Sequence, residues 1–90
     1  MMNVERVQQI DALLRENFSP EFLEIIDDSH HHIGHAGAKN GAGHFTVKIC
    51  SDAFVGKTLV QRHKMVYSAL DSMMHSEIHA LSIEATVPNK

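Results

Sequence analysis

Five of the chain's eight histidines, His30, His31, His32, His35 and His44, fall in the stretch DDSHHHIGHAGAKNGAGHF between Asp27 and Phe45. Neutral imidazole is a common ligand for zinc, copper, nickel and iron, so HHHIGH offers several donors within reach of one point. Spacing does not choose among them, because a glycine-rich loop can fold in many ways, and the same residues suit a solvated polar loop. A histidine farther along, His79, opens an alternating apolar stretch with the parity of its inward residues. That predicts a position at the rim between helices and sheet. His63 sits on an apolar helical face and reads as a core histidine bonded to a neighbour.

The chain has one cysteine, Cys50. Alone it can form no internal disulfide, and it cannot hold a structural zinc or an iron-sulfur cluster, each of which takes about four ligands. Any cluster must therefore be shared with a partner. No Cys/His/Asn arrangement is legible around Cys50, which reads as a spectator thiol. Asp27 and Asp28 are adjacent at a strand end and point opposite ways, which argues against a catalytic acid pair. FVGKT echoes a nucleotide-binding loop but lacks the upstream glycine such a loop requires, which excludes ATP and GTP binding on this motif.

These side chains need a scaffold, and 90 residues suit one domain, residues 1–90, with a thin core. The formal net charge is −3 with histidines neutral. This argues against a wholly basic nucleic-acid binder while leaving room for a local basic patch; protonating the histidines would reverse the sign. Nothing approaches the roughly 18 consecutive apolar residues of a membrane span. The opening MMNVERVQQI has neither a signal core nor a transit pattern, so a cytoplasmic protein is expected.

Apolar residues Val4, Val7, Ile10, Leu13 and Leu14 recur at helical spacing, predicting a helix from Asn3 to about Phe18 that stops at Ser19-Pro20. EFLEIIDDS reads as a strand over Phe22 to Asp27. A loop of about 15 residues, longer than the ~2 to 5 of a hairpin, precedes a second strand in which Phe45, Val47 and Ile49 face one side and His44, Thr46 and Lys48 the other. SDAFVGK reads as a turn with a short helical turn near Ser51 to Phe54. Thr58 and Gln61 form a capping-box pattern for a helix whose face carries Val60, His63, Val66, Tyr67, Leu70 and Met74. The last strand, IHALSIEAT, puts His79, Leu81, Ile83 and Ala85 on one side. This order predicts an α+β fold with helices on one face of a three-stranded mixed sheet. The basic stretch GKTLVQRHK gathers Lys57, Arg62 and Lys64 around a helix start, where cations can meet phosphates, although a solvated helix face explains them too.

Three fragments, LEIIDDSHHHIGHAGA, HFTVKICSDAFVGKTLVQRHKMVYSAL and IHALSIEATVP, together resemble the BolA family over about Leu23 to Pro88. The resemblance implies an αββααβ arrangement similar to the class II KH domain, and two classes of function. In the first, the protein is a non-enzymatic adaptor that pairs with a monothiol glutaredoxin and shares a [2Fe-2S] cluster with it and with glutathione. The family's loop ligand in S-x-x-H falls on His32 and its C-terminal histidine on His79, with His35 the substitute for His32. Two imidazoles on one iron raise the potential as in Rieske centres. In the second, the alternative, it is a DNA-binding transcriptional regulator that uses Lys57, Arg62 and Lys64 as phosphate contacts. KH domains grip nucleic acid with a GXXG loop, and FVGKTL contains only Gly56, a departure that counts against single-strand binding of that kind. When alone, the chain is expected to be a monomer or weak homodimer.

Overall fold

A computed structural model describes residues 3–29 and 42–89. Helix α1 spans Asn3–Phe18 and buries Arg6, Ile10, Leu14 and Phe18, four positions spaced by four that form one stripe. Arg6 is the unexpected member. Its Nε donates to Glu77 Oε1 at 3.0 Å and its Nη1 to Asn3 Oδ1 at 2.7 Å, so a buried guanidinium keeps its charge paired. Val4, expected on the apolar stripe, is exposed. The helix ends where Ser19 takes a left-handed φ of 43° and donates its N–H to Arg15 O, with Pro20 following.

Strands β1, Phe22–Asp27, β2, Gly43–Cys50, and β3, Ile78–Thr86, form one sheet in the order β1-β2-β3. β1 pairs antiparallel with β2, and β2 pairs parallel with β3, giving the expected mixed sheet. Phe45, Val47 and Ile49 of β2 face the helices and are buried, as the alternation predicts. His44, Thr46, Lys48 and Cys50 lie on the opposite face.

Between β2 and β3 run a 3₁₀ turn at Asp52–Phe54, helix α2 at Leu59–Ala69 and a second 3₁₀ turn at Asp71–Met73. The first of the two helices expected there is thus a single turn. It is anchored by Phe54, whose fully buried ring meets Phe18 at 5.1 Å between centroids. Buried Ser51 ties the same corner together: its hydroxyl donates to Phe18 O at 2.6 Å and accepts from Ala53 N–H at 3.1 Å. The capping box of α2 is complete, with Thr58 Oγ1 accepting from Gln61 N–H and Gln61 Oε1 accepting from Thr58 N–H.

The predicted inner face of α2 is only partly right. Val66 and Leu70 are buried and Met74 packs against the core, but Val60 is 63% exposed and Tyr67 39%. The first turn of α2 carries its apolar side chains outward. Among the described residues no helix is long and apolar enough to cross a membrane.

Removing the Ser51 hydroxyl would strand the buried Phe18 carbonyl and the partly buried Ala53 N–H. Ser51→Ala is expected to lower stability by about 1–3 kcal/mol. Urea unfolding should give a lower midpoint at unchanged m-value.

Candidate functional site

His32 and His35 fall within residues 30–41 and lie outside the described residues. The described residues on either side of that segment are hydrogen-bonded beside the same place. On the entering side, Ser29 N–H donates to Asp27 Oδ1 at 2.9 Å, and Ser29 Oγ accepts from His44 N–H at 3.0 Å. On the returning side, Gly43 N–H donates to Glu77 O at 3.0 Å. Ser29 and Gly43, which flank that segment in sequence, thus lie beside the start of β2 and the turn before β3.

His79, the second residue of β3, lies at that point, but not on the expected face. Gly43 pairs with Ile78 and His44 pairs with Ala80, so His79 is an extra residue with no counterpart in β2. This β-bulge breaks the period of two. Ile78 is fully buried, His79 and Ala80 are both exposed, and Leu81 returns to the core face. His79 therefore stands on the open face of the sheet and not at the helix-sheet rim. Strict alternation would have buried His79 and exposed Ile78, a costly exchange. The spacing of Ile78 to Leu81, odd for a regular strand, is the signal that could have revealed it.

The bulge also brings in a residue that sequence reasoning set aside. His44, assigned by alternation to the face opposite His79, lies against it, with ring centroids 5.1 Å apart and planes tilted by 51°. His44 is half-buried with its Nε2 screened from solvent, while His79 is exposed. His44 thus backs His79 on one side and leaves the other side open to a partner. Among the described residues no group of three or more His, Cys, Asp and Glu side chains could hold a metal. A metal at His79 would need further ligands from elsewhere.

The bulge is held tightly. A Cβ on Gly43 would approach the buried Phe45 ring to 2.6 Å and Ser29 Oγ to 2.9 Å. Glu77, two residues before His79, forms a partly buried ion pair with Arg6, and its N–H donates to Met73 O. Cys50 lies at the other end of β2, half-buried on the open face between Phe22 and Thr86. Asp27 and Asp28 do diverge: Asp27 accepts from Ser29 N–H, and Asp28 accepts from the Thr46 hydroxyl.

The three cations of GKTLVQRHK are not equivalent. Lys57 and Lys64 are exposed. Arg62 donates from Nε to Lys57 O at 3.0 Å and from Nη1 to Ala85 O at 3.1 Å, bracing the start of α2 against the end of β3. His63 is half-buried on α2.

The family model for BolA-like proteins matches residues 14–90. The chain belongs to the BolA family. Among curated BolA-family relatives, SufE-like protein 1 (chloroplastic/mitochondrial) of Arabidopsis thaliana is 42% identical over 88 residues, covering 92% of this chain but 24% of that protein. The chain thus spans about a quarter of that relative's length. The DNA-binding transcriptional regulator BolA of Escherichia coli K12 is 38% identical over 76 residues, covering 84% of this chain and 70% of the relative. Among solved structures, the BolA domain of SufE1 from Arabidopsis thaliana is similar at 40% identity with a TM-score of 0.81, covering 92% of each chain. The fold is therefore that of a BolA domain over most of the chain.

Two substitutions separate scaffold from surface at this site. Gly43→Ala, which must displace the Phe45 ring, should cost about 1–3 kcal/mol. His79→Ala, at an exposed bulge, should stay within about 0.5 kcal/mol of the parent. Urea denaturation of both variants checks the pair.

Proposed function

We propose that this BolA-family chain is a non-enzymatic, cytoplasmic adaptor in iron-sulfur cluster trafficking. It shares a [2Fe-2S] cluster with a monothiol glutaredoxin and glutathione, which supply thiolates while this chain supplies imidazoles. One observation carries the reading: His79 is exposed at a bulge, backed by His44, near Ser29 and Gly43, which flank in sequence the stretch that contains His30, His31, His32 and His35. His79 is the ligand from the sheet, and His32 is the ligand from the segment, with His35 its substitute. The cysteine arithmetic supports the same reading, because a chain with one cysteine and no three-ligand group among its described residues suits a site completed by a partner.

A second reading, DNA binding, is favoured by the name of the Escherichia coli relative and by exposed Lys57 and Lys64. The engagement of Arg62 with two main-chain carbonyls weakens it, since that cation is committed within the chain. If DNA binds here, affinity should fall steeply with salt, and Lys57→Ala should reduce the slope by about 1.

The adaptor reading is tested by titrating a glutathione-loaded [2Fe-2S] monothiol glutaredoxin with this protein and following visible absorption and circular dichroism. The parent should change the cluster spectrum and raise the reduction potential by ~100 mV or more, as imidazole replaces thiolate. His79→Ala should abolish both effects while remaining folded. His32→Ala should abolish them unless His35 substitutes, in which case the double variant should. A spectrum that never moves with folded parent protein would end the adaptor reading.

A further inference from the structure

The start of α2 carries an apolar surface that the cluster proposal does not use. Val55, Leu59 and Val60 are 60%, 65% and 63% exposed, three large aliphatic side chains within six residues. Scattered exposed apolar residues are ordinary, but a concentration of this kind marks an interaction site. The chain reverses here through Gly56 at φ 77°, a conformation that glycine adopts without strain. One turn along α2 from Val60, an open cleft of 410 Å³ lies between the helices, lined by Asn17, Phe18, Lys64, Met65, Ser68 and Ala69. Val60, Lys64 and Ser68 follow one another at intervals of four, so the exposed residues lead along the helix into this cleft.

Charge selects the occupant. From Ala53 through Leu70 there is no Asp or Glu, while Lys57 and Lys64 stand exposed on either side of Leu59 and Val60. A second copy presenting the same face would meet these lysines with its own. A phosphate backbone would meet two free lysines, with Arg62 already spent on Lys57 O and Ala85 O. The side chains between those lysines are aliphatic, and bases stack on aromatic rings. We propose that this surface docks an acidic, amphipathic helical segment of another protein, its apolar residues on Leu59, Val60 and the cleft and its carboxylates on Lys57 and Lys64.

The start of α2 is remote from the histidine site, while the end of the helix comes nearer, with the Tyr67 hydroxyl donating to Leu81 O at 3.2 Å. Arg62 fastens the start of α2 to Ala85, six residues along β3 from His79, a distance of roughly 20 Å along a strand. The inference therefore goes beyond the cluster reading and stands or falls independently of it.

The test is an amide-shift titration of the full chain, labelled with nitrogen-15, by a synthetic helical peptide of about 18 residues with leucines at i, i+3, i+4 and i+7 spacing flanked by glutamates. The control is the same peptide with lysines in place of the glutamates. The acidic peptide should move amides between Val55 and Ser68 and leave His79 and His44 unmoved. Leu59→Ser combined with Val60→Ser should weaken it about tenfold. Lys57→Glu combined with Lys64→Glu should reverse the preference toward the basic peptide. All four positions are exposed, and circular dichroism confirms that the variants are folded. Binding elsewhere, or no preference for the acidic peptide, overturns the proposal. So does a DNA duplex that moves the same amides and is not displaced by the acidic peptide.

Discussion

Ile78 is fully buried and His79 beside it is exposed together with Ala80, an arrangement that requires one residue more in β3 than β2 can pair with. The bulge lets Ile78 and Leu81 both serve the core without placing an imidazole beneath the helices. A side chain the size of isoleucine is worth about 1.5–3 kcal/mol when buried, which sets the register. The histidine's exposure is the consequence. The surroundings of His79 follow from this mismatch: its place on the open face and its contact with His44.

The surrounding interactions fix the bulge from three directions. Arg6 reaches from the first turns of α1 to Glu77, Gly43 admits the Phe45 ring where a larger residue would collide, and Ser29 holds the His44 main chain. A histidine held this way loses little conformational freedom when it meets a metal brought by a partner, which favours binding. The other end of β3 is organised differently. There Arg62 bonds main-chain carbonyls of the α2 approach and of Ala85, leaving lysines and aliphatic side chains outward. One strand thus joins the bulge that exposes His79 to the end braced by Arg62.

The bounds of α1, β1 and β3 are legible in the sequence because each has a clear period and a clear stop, and the Thr58–Gln61 cap is legible because it is local. Arg6 is not, since its partner Glu77 lies 71 positions away and the stripe from Ile10 to Phe18 only hints that position 6 is inward. The exposure of Val60 is hidden for a related reason: periodicity identifies an apolar stripe but not how far another element covers it. His79 stands out as a histidine in an alternating strand, yet its face is misread, because a bulge is a property of two paired strands and not of either alone. His44 is missed by the same error, with alternation placing it across the sheet from the ring it touches.

In the proposed adaptor role, the bulge presents His79 as a ligand to a cluster brought by a partner. Pulsed electron paramagnetic resonance of the reduced [2Fe-2S] complex, formed from this chain labelled with nitrogen-15 histidine and an unlabelled monothiol glutaredoxin, tests it most directly. A directly bound imidazole should give strong nitrogen-15 hyperfine coupling, and His79→Ala should lose the His79 contribution. A reduced complex that forms with no such coupling would contradict it.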